Sequence, residues 1–181
     1  APTKTGYTFA GWFKEAGLTT EWSFTSDKVT EATTLYAKWT PNTNTAYKVE
    51  HYQQDVSGDD YTLVETDALT GTTDATATAS AKGYAGFTEN TTHTGRVPSG
   101  AIKPDGSLVL KLYYDRNTFT VSFNSNDGSA VEAITGVRYD ANITAPAAPT
   151  KTGYTFAGWF KEAGLTNAWN FESEKVTEAT T

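Results

Sequence analysis

Asn117-Thr118-Phe119-Thr120-Val121-Ser122-Phe123 alternates without a break, with Phe119, Val121 and Phe123 on one side and Thr118, Thr120 and Ser122 on the other. A period of two sets one apolar face against a core and one polar face toward water, so the segment is a half-buried strand. Asn126-Asp127-Gly128 follows, residues that tolerate positive φ, and Ala130-Val131-Glu132-Ala133-Ile134 then resumes the apolar pattern. Together they read as a β-hairpin. Further along, Tyr154-Thr155-Phe156-Ala157-Gly158-Trp159 predicts another strand, and the polar stretch Glu172 to Thr180 is compatible with one short helix.

The text after this hairpin has occurred before. Ala1-Pro2-Thr3-Lys4-Thr5-Gly6-Tyr7-Thr8-Phe9-Ala10-Gly11-Trp12-Phe13 returns unchanged as Ala148 to Phe160, an offset of 147. Carried to Thr34 and Thr181, only five positions differ: Thr20/Asn167, Glu21/Ala168, Ser23/Asn170, Thr25/Glu172 and Asp27/Glu174. Every aromatic and every Gly is kept, so the changes read as solvent-facing. A period of 147 is too long for a solenoid repeat and fits a pair of small domains. Leu35-Tyr36-Ala37-Lys38-Trp39-Thr40 follows the first copy only, and residues 117 to 147 precede the second copy only. Each copy is cut, in complementary ways.

Between them, Tyr47-Lys48-Val49-Glu50-His51-Tyr52 opens a middle segment as a strand, Thr76-Ala77-Thr78-Ala79 reads as another, and Ser107 to Tyr114 closes it. In the last, Leu108, Leu110, Leu112 and Tyr114 share one face, preceded by the turn signal Pro104-Asp105-Gly106. Residues 41–45 read as a linker, whereas Asp115-Arg116 is so short a junction that the next module should stack closely.

Composition agrees with strands joined by tight turns. Thr occupies 34 of 181 positions, aromatics 24 and Gly 15. The fold class is mainly β, or α+β if the short helix forms. A net charge of -7 leaves no basic footprint for a phosphate backbone, so nucleic acid is a poor partner. No run of 18 or more apolar residues suggests direct membrane insertion, and Ala1-Pro2-Thr3-Lys4 lacks the features of a signal peptide. There is no Cys, which excludes disulfides, thiolate metal sites and a cysteine nucleophile.

The run Gly-Tyr-Thr-Phe-Ala-Gly-Trp-Phe, the second Trp at Trp22 or Trp169, and the closing Leu35-Tyr36-Ala37-Lys38-Trp39 resemble the internalin B-type, or Listeria-Bacteroides, repeat. Phe119 to Phe123, the Asn-Asp-Gly turn and Ala145-Pro146-Ala147-Ala148-Pro149 resemble that family's first half, so the likeness covers residues 1–40 and 117–181. The middle module, 46–116, is similar to the mucin-binding-protein repeat. The resemblance implies small β-grasp-like (ubiquitin-like) modules in a row, in extracellular, cell-wall-attached surface proteins of Gram-positive bacteria. Spacing and adhesion are the work it implies, with neighbouring repeats as partners and a host glycoprotein or glycan as a further one.

The chemistry of the side chains does not point to an enzyme, a cofactor or a metal. His51 and His93 are the only acid–base groups for neutral pH, and neither stands in a nucleophile or metal motif. His51 shares a strand face with Tyr47 and Val49, which favours packing against a sheet, and His93 lies in a Thr-rich loop. Asp59-Asp60 and the Asn124 to Asp127 run invite calcium, but an EF-hand register with Gly128 at the glycine position makes Phe123 the first ligand, so a hairpin turn is the better reading. Trp12, Trp22, Trp159 and Trp169, with Tyr52 and Tyr113 on outward faces, are candidates for stacking on sugar rings. The competing reading is that large aromatics form the core of so small a module. Finally, a module lacking its last strand has an open sheet edge. The expectation is that Leu35 to Trp39 fills the gap after Thr181, head-to-tail from a neighbouring molecule, unless those residues pair only within residues 1–40.

Overall fold

The computed structural model describes residues 1–181 and contains ten strands and no helix. The chain divides into two compact units, one of Ala1–His51, Val64–Ser80 and Thr94–Leu112, the other of Tyr52–Leu63, Ala81–His93 and Tyr113–Thr181.

In the first unit, β1 (Tyr7–Phe13) pairs antiparallel with β2 (Tyr36–Pro41), with Phe9 opposite Trp39, Trp12 opposite Ala37 and Phe13 opposite Tyr36. The register slips between Phe9 and Gly11. Gly11 holds φ at 123°, a conformation natural to Gly, and so makes the bulge that turns Trp12 and Phe13 inward. Residues 35–39 thus find their strand partner only within residues 1–40, which overturns the expectation that Leu35 to Trp39 is donated to a neighbouring molecule, because β1 already offers these residues an edge in their own chain. From β2 the chain enters β3 (Thr45–Gln54) through three residues. The crossing is sewn by Thr73, whose buried hydroxyl meets Thr45 Oγ1 at 2.6 Å and donates to the Gly6 carbonyl at 2.8 Å.

β3, β4 (Tyr61–Gly71) and β8 (Val109–Arg116) give residues to both units and form, with β6 (Phe87–Glu89), a sheet of order β4-β3-β8-β6; β5 (Thr76–Thr78) and β7 (Ser99–Ala101) make a separate antiparallel pair. The alternation expected before and along β8 holds, since Leu108, Leu110, Leu112 and Tyr114 are all buried. Val49 and His51 on β3 are buried as well.

In the second unit, β9 (Thr118–Val121) and β10 (Ile134–Arg138) form the expected hairpin, with Asn126 and Asp127 at positive φ in the connection. Its return strand lies at 134–138 rather than at 130–134. Val121, Val137, Ile143 and Val176 make the core, with Phe119, Phe123, Trp169 and Phe171 packed against it. The chain entering β9 is tied down: Arg116 donates to the Gln54 carbonyl at 2.8 Å and to the Tyr139 carbonyl at 2.9 Å. Tyr139 lies over Gly86, where a Cβ would stand 2.2 Å from its ring.

Two further expectations fail. Glu172 to Thr180 is not helical, because its backbone is engaged by distant partners. Val176 N–H donates to Ala141 O, Asp140 N–H to Val176 O, and Thr180 N–H to Thr120 O. The β-branched Val176, Thr177 and Thr180 favour that extended path. Nor is Tyr154 to Trp159 a strand, although the same residues form β1 in the first copy. The difference is the partner, since β1 has β2 and no counterpart of β2 lies within residues 148–181.

The two copies therefore bury opposite halves of one pattern. Val29 is 71% exposed and its counterpart Val176 is 0% exposed, because only the second copy has Val121, Val137 and Ile143 to cover it. Phe13 is 6% exposed, whereas Tyr154, which matches half-buried Tyr7, is 72% exposed. Replacing Val176 with Ala should cost about 2 kcal/mol, from ~0.8 kcal/mol per buried methyl-sized group plus the cavity left behind. The same change at Val29 should fall within about 0.5 kcal/mol of zero. Urea unfolding of the two variants checks the contrast.

Candidate functional site

The site is built from the second copy. A cavity of about 500 Å³ opens among Phe123, Ile143, Tyr154, Phe156, Trp159 and Trp169. Phe123 comes from the end of the first alternating segment, and Phe156 and Trp159 from the segment left without a strand partner. The rings hold one another: Phe123 lies 4.8 Å from Trp159, and Phe156 meets Trp159 edge-on at 5.3 Å. Nε1 of Trp159 and Nε1 of Trp169 are both buried without a hydrogen-bond partner, a cost that a lining carbonyl would remove.

The local frame around this cavity repeats the main backbone bonds and the ion pair of the first copy. Trp169 N–H donates to Trp159 O at 2.8 Å, as Trp22 N–H does to Trp12 O at 2.7 Å. Lys161 pairs with Glu174 as Lys14 pairs with Asp27, so the change from Asp to Glu preserves the ion pair. Lys161 also lies 6.0 Å from the Trp169 ring, and Lys14 5.7 Å from that of Trp22. The loop is thus fixed by its own contacts, while the strand before it is fixed by its neighbour.

Of the four tryptophans read from the sequence as candidates, the structure brings Trp159 and Trp169 to one cavity. Trp12 instead packs edge-on to Phe9 at 5.5 Å, and Phe9 in turn meets Trp39 at 5.5 Å. Trp22 leans on Phe24 at 6.4 Å. Sequence reasoning passed over Phe123, Tyr154 and Phe156 as lining residues. The signal was present in the missing counterpart of Trp39, whose absence uncovers them.

A second aromatic group lies across β3, β4 and β8. Tyr52 stacks on Tyr113 at 4.9 Å, His93 stacks on Tyr113 at 3.7 Å, and Tyr61 meets both His93 and Tyr113 edge-on. Burial, then the hydrogen bond to Asp115, pushes the Tyr61 hydroxyl above its ordinary range. His51 is wholly buried with Nε2 3.2 Å from Asp67, in keeping with a packed core residue. The acidic residues considered for calcium have cations beside them: Arg138 on Asp59 at 2.9 Å and Lys151 on Asp127 at 3.8 Å.

Residues 1–38 and 119–181, more than half of the chain, match the Listeria-Bacteroides repeat domain model. The chain belongs to that family. It is 31% identical over 98% of its length to a protein of Evansella cellulosilytica named "Putative membrane protein", of which it covers 26%. It is 34% identical over 97% of its length to Internalin H of Listeria monocytogenes, of which it covers 18%. The chain thus spans about a quarter or less of these relatives, and the matches run through the middle segment as well as the repeats. No solved structure matches it. No helix of the chain is long and apolar enough to cross a membrane.

Glu162 shows how the loop holds itself. The Thr166 hydroxyl, then the Thr166 and Asn167 backbone N–H groups, bring its carboxyl down from the usual 4.5 to about 2. Glu15 is lowered in the same way by Thr19 and Thr20. A depressed folded value means that the carboxylate stabilises the loop fully above about pH 4.5 and that this contribution disappears as pH falls toward 2. An NMR titration should place the Glu162 midpoint well below that of a free Glu, and Thr166→Val should move it back up.

Proposed function

We propose that this chain is a stretch of a structural spacer array at a Gram-positive bacterial surface, built from β-grasp-like modules and doing no chemistry of its own. The reciprocal burial of Val29/Val176 and Tyr7/Tyr154 is the observation that supports it most. Superimposed by the offset of 147, the two copies make one module. Across the sheet of that module the order is β10, β9, the closing strand and then the Tyr7–Phe13 type of strand, which precedes the closing strand in the chain. Thr180 already lies parallel to Val121, so a closing strand that continues from it runs parallel to the first strand, in the middle of a mixed sheet. That order is the one expected of a β-grasp. The middle segment is read as a mucin-binding-protein-like repeat. The relatives' names, a membrane protein and an internalin, agree with a place at the cell surface.

An array whose copies need only their neighbours in sequence extends by addition. Small-angle scattering should therefore show a maximum dimension that grows by a constant step when one further 147-residue period is appended. A radius of gyration that instead follows a single compact globule would sink the spacer reading. Glycan recognition through exposed aromatics is the second reading, carried by the open aromatic cavity at Trp159 and Trp169. Saturable binding in a glycan titration, lost on Trp159→Ala but not on Val29→Ala, would favour it over the spacer alone.

A further inference from the structure

β3 and β8 are the strands by which the chain enters and leaves the middle segment, and they lie side by side at the centre of the β4-β3-β8-β6 sheet. Their contacts fix the direction of the pair. Lys48 N–H donates to Leu108 O at 3.0 Å, Glu50 pairs with Lys111 at 3.7 Å, Tyr52 stacks on Tyr113 at 4.9 Å, and Arg116 Nε donates to the Gln54 carbonyl at 2.8 Å. Residue numbers rise together along the two strands, so the pair is parallel. We infer that β3 and β8 form a shear clamp, which makes the middle segment a force-bearing element when the array is pulled along the chain.

The inference rests on the spacer reading, since a spacer carries whatever tension acts between its two ends. Tension reaches the middle segment at the Thr45 end of β3 and leaves it at the Arg116 end of β8. In a parallel pair these are opposite ends, so pulling drives the strands past one another and loads every bond between them together. The pair cannot open one bond at a time. An antiparallel hairpin pulled at its open ends behaves differently, because its outermost bond takes the load and the others follow in turn.

Three further features keep the load on this ladder. Little chain intervenes, since three residues separate β2 from β3 and Asn117 alone separates β8 from β9. Both ends of the clamp are tied: Thr45 by its hydroxyl contact with Thr73 at 2.6 Å, and Arg116 by Gln54 across the pair and by the Tyr139 carbonyl at 2.9 Å. Each clamp strand also carries a strand on its outer side, β4 beside β3 and β6 beside β8, so neither has an open edge at which water competes for its bonds. Their core face is sealed by Val49, His51, Leu110 and Leu112, none more than 2% exposed.

The chain has no Cys, so a pair of introduced cysteines gives two unambiguous handles for an optical trap. Two double variants of the whole chain share the handle Thr118→Cys and differ in the other: Asn44→Cys pulls β3 and β8 past each other, whereas Ser57→Cys pulls their adjacent ends apart. All three positions are exposed. At the same constant force the middle segment should unfold roughly tenfold or more slowly through 44 and 118 than through 57 and 118. With no force applied, the two variants should unfold in urea at one rate, because the difference lies in direction and not in stability. Equal rates under force overturn the inference, and so does a difference already present without force. A directional difference in a chain whose scattering lacks the constant step keeps the clamp and removes the spacer; the constant step without a directional difference removes the clamp alone.

Discussion

Everything in the repeat depends on whether a strand has an edge to lie against. The sequence Tyr-Thr-Phe-Ala-Gly-Trp-Phe occurs twice, is extended in a seven-residue strand beside Tyr36–Pro41, and is irregular where no such edge exists. Local preference is the same in both places, as are the bulge glycine and the flanking loop. The energy that decides between the two states is therefore almost wholly that of the ladder and of the side chains packed through it. The pair of copies separates tertiary context from propensity within one chain.

The same comparison explains what was legible in the sequence. The strand at Leu108 to Tyr114 was read correctly because its alternation is matched by neighbours on both sides, β3 and β6, so that pattern and environment agree. Tyr154 to Trp159 has an equally good pattern and lacks the environment, so reading it as a strand failed. Glu172 to Thr180 looked helical only because it is polar; its backbone partners, Ala141 and Thr120, are more than thirty residues away, and no window of sequence contains them. The family resemblance at both ends was carried by the motif residues themselves, Gly-Tyr-Thr-Phe-Ala-Gly-Trp-Phe, the second Trp and Leu-Tyr-Ala-Lys-Trp. The cavity lining could be read only by setting the two copies side by side, since residues 148–181 hold no counterpart of Trp39.

Loop and strand are held by different means, and this sets where the sequence is free to vary. The loop after Trp12 or Trp159 is closed by a carboxylate on backbone N–H groups and by a lysine ion pair, both within about fifteen residues. Such contacts survive exchange of Asp27 for Glu174 or Thr20 for Asn167, because the backbone donor or the charge remains. The strand face tolerates nothing comparable, since each ring there is the wall against which another rests.

A lack of variation on the strand face also removes any mark by which one copy's edge is told from another's. Nothing in Tyr7–Phe13 or residues 154–160 distinguishes one edge from the other, and what keeps the two identical segments apart along the sequence is the unrelated middle segment with its own four-stranded sheet.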